Sequence, residues 1–512
     1  MKTLLDKLTN LQPLQWLTIT LIGSLLIRLG IAYWLPLTGD EAYFITWGKN
    51  LDYGYYDHPP MVGWFLSLLL LFSDSIVWLR LPGILMFSFM GWVIFRLLKN
   101  AQVEENKAAF VAILFLLAPL NLLSVLITTD TPLILWSFIS AIYFYQAQKE
   151  DKLTKYLLAG VFLGLAFYSK FFAGLLGLAY FFYLVFFVRL QRGLKPYAGI
   201  AVVLLGVAPF IILNLLWNYN NCWNNYLFNL FNRTSGAYFS FITIGLYLGF
   251  LAYLIMPPLL WYGFKQPLKD YFSILKKPAG VFIGLFAIPL FLFLLLSFVK
   301  EIGLHWLLSF YPFLFISLGF LLTNEQLIKS IKFVVVFSIL HLAALAFILV
   351  SIPGLFEKNE EIHKDIIFGV KNTVILDKLA AYRNDYVFAT SSYVKSALLS
   401  YTTGEHVIVL GQGSYHARED DKHTDFRLLD GKNILLISET NNLGHLRGFF
   451  ESVEIKPLKI EDAVFYYALG RGFNYKKYRE LIIQNTLDRY YRIPDWLPTG
   501  RCYMQTMYLA EE

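Results

Sequence analysis

The chain has 512 residues, 57% of them hydrophobic and only 15% charged, against about 25% charged in an ordinary soluble domain. Its net charge of +7 is carried by dispersed basic residues, without zinc-finger or RNP-like spacing, which excludes a nucleic-acid footprint. Two cysteines exclude a disulfide scaffold and any cysteine-based metal or iron–sulfur centre.

A transmembrane helix needs about 20 mostly apolar residues. The first such stretch, residues 14–37, is too long for a signal-peptide core and no small-residue cleavage site follows it, so it reads as a permanent span. Arg28 inside it is expected to be paired or to snorkel. The external loop 38–75 then opens with LTGDEAYFITWGKNLDYGYYDHPPMVGW, which sets Asp40, Glu41, Asp52, Asp57 and His58 at the mouth of that span. Residues 61–72 are apolar but too short to cross, and read as an interfacial helix. Further spans are expected from near Ile76, Ala108, Thr131, Tyr156, Phe172, Tyr197, Ile242, Ala279, Leu304 and Phe333, about eleven in all. Residues 108–128 with 131–146, and 156–170 with 172–188, read as tight hairpins. His341 in the last span is expected to be hydrogen-bonded within the bundle.

Lysines and arginines fall on alternate loops: Lys2 and Lys7; Arg96, Lys99 and Lys107; Lys149, Lys152 and Lys155; Arg189, Arg192 and Lys195; Lys265, Lys269, Lys276 and Lys277; Lys329 and Lys332. The opposite loops hold only Lys49, Lys170, Arg233 and Lys300, with Arg80 at a helix mouth. By the positive-inside rule the N-terminus is cytoplasmic and the segment after the last span lies outside. There, residues 354–512 turn polar, with short apolar runs (YVFAT, HVIVL, NILLIS, AVFYYALG) that read as strands. SSYVKSALLSYTTG reads as a helix ended by Gly404. The expected organisation is a polytopic α-helical membrane domain over 1–353 and an extracytoplasmic α/β domain over 354–512.

With this orientation the unusual residues gather on one face. Asp130 stands in a very short turn between two spans and Lys170 in the same position on the next hairpin, where a charge is costly unless it faces a polar cavity. Such a cluster suits an anionic, membrane-borne substrate. A sugar on a lipid phosphate needs cations where charge develops on the leaving group, and the candidates are Lys170, Arg233, Arg80, His58, Lys300 and His305. It also needs a carboxylate to deprotonate the acceptor, and the candidates are Asp40, Glu41 and Asp130. Tyr43, Tyr55, Tyr56, Asp57, Trp217, Asn218 and Trp306 are candidates for lining the substrate pocket. The loop SYHAREDDKHTDF, with His416, Asp420, Asp421, His423 and Asp425, reads as a solvated segment, with a metal site as the alternative. Asn232-Arg233-Thr234 fits a glycosylation acceptor. Cys222 and Cys502 both fall outside the cytoplasm, which leaves a disulfide between them open.

GDEAYFITWGKNLDYGYYDHPP, with RLPG, DTPLILW, YSKFFAGLL, WNYNNCW and HWLLSFYPF following in order, resembles the GT-C glycosyltransferases of the dolichyl-phosphate-mannose–protein mannosyltransferase and lipid A aminoarabinose transferase type. The resemblance spans roughly residues 30–320. It implies a GT-C fold, a bacterial inner-membrane location, and inverting transfer of a sugar from a polyprenyl-phosphate donor to a lipid, glycan or protein acceptor on the extracytoplasmic face. Asp40 and Glu41 match the family's first-loop acidic pair, with Asp40 as the base, and Asp130 matches its second-loop aspartate. Some relatives bind a divalent metal near this loop, for which Asp40, Glu41 and Asp57 are the candidates here. His58 stands where the lipid A transferases carry a lysine, so Lys170 is the stronger phosphate contact. A transporter of lipid-linked sugars, or a non-catalytic envelope-assembly protein, is the alternative. The first would place polar groups at mid-membrane depth with paired repeats.

Overall fold

A computed structural model describes residues 12–188, 193, 195–232, 238–355, 359–411 and 417–509. The chain divides into two compact units. One comprises residues 1–34, 73–213 and 236–345, and the other residues 35–72, 214–235 and 346–512.

The first unit is helical. By length and composition, five described helices can cross a membrane: Pro13–Trp34, Ile76–Asn100, Lys195–Tyr219, Pro278–Leu296 and Asn324–Ser351. A sixth span results if Phe241–Ile255 and Pro257–Lys265, bent by 90°, count as one. The bend has a local cause. Pro257 pushes the residue before it out of the helical region, and Met256 ends the first helix at φ 70°. The other apolar stretches form shorter or interrupted helices, such as Glu105–Leu117, which breaks at Ala118 before Pro119 restarts a turn.

Apolar side chains on the outer faces, among them Ile22, Leu26, Leu204, Leu205, Ile339 and Leu340, are more than half exposed to solvent in the isolated chain. Lipid is the medium that such a surface requires. Inside, small residues bring helices into contact. A Cβ on Gly206 would meet the Leu157 carbonyl at 2.7 Å, the small-residue packing of membrane bundles. Arg28 is fully buried. Its guanidinium donates to the Ile84 carbonyl (2.9 Å) and the Ser88 hydroxyl (2.5 Å), so the charge is met within the bundle. His341 is hydrogen-bonded at both ring nitrogens, to Tyr253 (2.8 Å) and the Phe337 carbonyl (2.7 Å).

The second unit contains a C-terminal β-sheet flanked by helices. Its five strands, β1 (Val387–Thr390), β2 (Ile408–Val409), β3 (Ile434–Ser438), β4 (Phe450–Ile460) and β5 (Ala463–Phe473), form a sheet in the order β2-β1-β3-β5-β4. β1 runs parallel to β2 and β3, whereas β5 is antiparallel to β3 and β4. The helix between β1 and β2, Tyr393–Thr403, ends at Gly404 in the left-handed conformation, φ 72°. The same unit holds two helices of the first loop, α1 (Gly39–Lys49) and α2 (Met61–Leu70); the Tyr393–Thr403 helix is hereafter α3. Tyr56 of the first loop, Cys222 and Phe228 share one apolar core with the sheet residues Ala389, Ile408, Leu436 and Ala468. Cys222 and Cys502, 280 residues apart, form a disulfide.

Candidate active site

In the helical unit, Asp130 opens the helix Asp130–Glu150 and Lys170 follows the helix Leu153–Phe167. The Lys170 Nζ donates to both oxygens of Asp130, at 2.9 and 3.0 Å. The two side chains are only 8% and 15% exposed. The ammonium also lies 5.4 Å from the centre of the Phe172 ring, which packs on Trp306 with 4.6 Å between ring centres. His305 beside it is exposed. Arg80 is fully buried and donates to the Ala32 carbonyl at 2.8 Å, within the packing of the helices.

In the second unit, α1 begins with a capping box. The Thr38 hydroxyl accepts from the Glu41 amide (3.3 Å), and the Glu41 carboxylate accepts from the Thr38 amide (3.2 Å). Glu41 is fully buried in this cap, whereas Asp40, in the same first turn, is exposed. The aligned amides of a helix start favour negative charge at both positions. Gly39 is required by the packing of α1 on α3, because a Cβ there would collide with the Val394 side chain.

The turn that follows α1 is fastened by residues far away in sequence. Asn225 donates its amide to the Tyr55 and Tyr56 carbonyls, and Asn229 donates to the Asp57 carbonyl at 2.9 Å. Asn218 supports Asn225 by accepting from its backbone amide at 3.2 Å. The Trp217 indole donates to Asp52 at 3.0 Å. From the C-terminal domain, Arg418 pairs with Asp57 at 2.7 Å and Lys422 with Asp52 at 2.5 Å. Glu419 accepts from the Tyr56 amide at 2.6 Å.

Tyr43, Tyr55 and Tyr56 are buried. Tyr55 stacks on Trp47 with 4.4 Å between ring centres, and Tyr56 lies between Phe228 and Tyr491. His58 is half-buried, and its carbonyl accepts from the Tyr55 amide at 3.1 Å. Arg233 lies outside the described residues. Among the described residues no group of three or more His, Cys, Asp or Glu is arranged to hold a metal ion. Asp57 is engaged by Arg418 and Glu41 by Thr38.

A family model for dolichyl-phosphate-mannose-protein mannosyltransferase matches residues 57–213. Lipid A galacturonosyltransferase RgtD of Rhizobium johnstonii is 30% identical over 216 residues, 38% of this chain and 43% of that protein. The chain thus spans less than half the length of the curated relative it matches. The crystal structure of ArnT from Cupriavidus metallidurans bound to undecaprenyl phosphate superposes with a TM-score of 0.60 at 15% identity, over 89% of this chain and 98% of ArnT. ArnT in the apo state superposes with a TM-score of 0.59 at 14% identity. This chain has the fold of ArnT.

Within the second unit several residues of the cluster escape a reading of the sequence. The segment 417–425, expected to be solvated, is folded onto the first loop, with Glu419 and Asp421 buried. Its acids have structural partners: Asp420 accepts from the Val409 amide (3.0 Å) and Asp421 from the Tyr491 hydroxyl (2.7 Å). Burial drives the Glu419 carboxyl up to about 8, against an opposing pull from Lys422. Burial likewise raises the Tyr43 and Tyr56 phenols well above their usual range. His406 is raised by its hydrogen bond to Asp420, and His423 is lowered by burial. The available signal was charge complementarity, REDDK against the DYGYYDH of the first loop.

Proposed function

We propose that this chain is an integral membrane glycosyltransferase of the bacterial inner membrane, which moves a sugar from a polyprenyl-phosphate donor to lipid A or a related envelope acceptor on the extracytoplasmic face. The observation that carries the reading is the enclosed Lys170–Asp130 pair at the mouths of two apolar helices. An ion pair in such a place is kept for a substrate rather than for stability. The likeness to lipid A galacturonosyltransferase RgtD, and to ArnT bound to undecaprenyl phosphate, supports the donor and acceptor classes.

Lys170 offers three donors to a phosphate, and Asp130 keeps the ammonium oriented until the donor arrives. His305 is a further cation candidate in the helical unit, and His58 is one in the second unit. Asp40, at a helix start and open to solvent, takes the proton from the acceptor hydroxyl as it attacks the anomeric carbon. Attack from the face opposite the leaving phosphate inverts that centre. Glu41 holds the helix start through its cap, which fixes the direction of Asp40. The N-terminus is assigned to the cytoplasm and the α/β domain to the outer side.

The test is transfer by the purified full-length protein, with radiolabelled hexose, hexuronic acid or pentose on polyprenyl phosphate and with lipid A as acceptor. Labelled lipid A is the expected product. If the label stays on the donor with every sugar and with envelope glycans too, the reading fails.

A further inference from the structure

The first loop and the segment around Arg418, distant in sequence, meet at Asp57. Its Oδ2 receives the Arg418 guanidinium at 2.7 Å and its Oδ1 the Tyr43 hydroxyl at 3.4 Å. The Glu419 amide donates to that hydroxyl, also at 3.4 Å. Tyr43 is three residues beyond Asp40 on α1, and His58 follows Asp57 directly. The node therefore ties the helix that carries one proposed reacting group to the turn that carries another.

Arg418 is the piece least explained by packing alone. Its side chain is 11% exposed and that of Asp57 only 5%. The guanidinium lies 4.0 Å from the centre of the Tyr393 ring, at the start of α3, and 5.0 Å from that of Phe228. A buried charge of this kind is retained where orientation matters. Lys422, four residues further on, repeats the device at Asp52. In open α/β sheets, ligands bind at the carboxyl ends of the strands, where the strand order reverses. Here β1 lies between β2 and β3, and the helix leaving its carboxyl end packs on α1 through Val394 and Gly39. The binding end of the α/β domain is thus turned to holding the first loop.

We propose that Arg418 is a positioning residue of the transfer reaction, setting the helix of Asp40 against the turn of His58 through Asp57. The inference rests on the glycosyl-transfer reading. Displacement of a reacting group by about 1 Å can cost on the order of 100-fold in rate. The effect therefore falls on kcat more than on donor KM.

The test compares Arg418→Ala and Arg418→Lys with the wild-type full-length protein in the transfer assay. Donor-binding stoichiometry and the oxidised state of Cys222 and Cys502 are measured on the same preparations. With stoichiometry and disulfide intact, Arg418→Ala is expected to lower kcat about tenfold or more with donor KM within about threefold, and Arg418→Lys to recover part of it. Wild-type kcat in Arg418→Ala overturns the proposal, and so does a loss wholly explained by fewer donor-binding molecules. If Arg418→Ala does not fold, Arg418→Lys decides: a reduced kcat per donor-binding molecule upholds the proposal and a wild-type kcat overturns it. Transfer by the wild type separates this outcome from a failure of the functional reading.

Discussion

The Lys170 ammonium sits 2.9 and 3.0 Å from the two carboxylate oxygens of Asp130, closing a contact between residues 40 apart in sequence. Each is a single charge at the end of an apolar helix, where desolvation disfavours it alone. Removing one partner strands the other. Lys170→Met is expected to lower the melting temperature and to weaken donor binding by about tenfold or more. The double variant Lys170→Met/Asp130→Asn should regain most of the stability and none of the transfer activity. Melting curves in detergent and a donor-binding titration check both halves. Recovery of activity along with stability would reduce the pair to a structural contact.

Asp40→Asn keeps the size and the helix-start position but removes the basic oxygen. A general base contributes roughly 100- to 10,000-fold, so transfer should fall by about that factor while expression and donor affinity hold. Steady-state kinetics beside donor binding decide it, and near-normal turnover would move the base elsewhere.

Glu419 makes stability depend on pH. Its carboxyl is raised to about 8 in the folded chain by burial, against about 4.3 for a free glutamate. The folded state then holds the proton more tightly than the unfolded one, so its contribution is fully present below about pH 4 and is lost as the pH rises through about 8. Glu419→Gln keeps an oxygen to accept from the Tyr56 amide and carries no charge. The wild-type melting temperature should fall between about pH 5 and 8.5, and that of Glu419→Gln should fall less. Parallel curves would show that Glu419 does not titrate there.

The Cys222–Cys502 bond links the segment that holds the first-loop turn to the segment around Cys502. Replacing both cysteines by serine is expected to cost about 2–5 kcal/mol of stability. Proteolysis should then cut first within residues 214–235 or near Cys502. An unchanged melting temperature under reducing conditions would contradict this.

Much of the fold is legible because its signals are local. Apolar length marks the five described helices long enough to cross, though not the breaks that shorten the other expected spans, and β-branched runs between Gly, Asn and Asp mark β1, β2, β3 and β5. β4 is not legible. FESVEIKPLKI alternates charges with apolar residues and contains Pro457, which argues against a central strand. It lies at the sheet edge, where a proline is tolerated. Asp130 and Lys170 stand out as lone charges on tight turns. Arg418 and Lys422 do not, because a charged surface loop and a loop that clasps another have the same composition. Which carboxylate faces which base across some 361 residues is fixed by the fold, not by any local pattern.

The span between Cys222 and Cys502 sets an order of events during biogenesis. The 280 residues that separate them take roughly 15–60 s to translate at about 5–20 residues per second. Throughout that interval the first cysteine remains a thiol, open to mispairing or to capture by an oxidant. Nascent chains stalled before Cys502 should therefore be distinguishable by thiol labelling, which makes closure of this bond a late checkpoint in maturation.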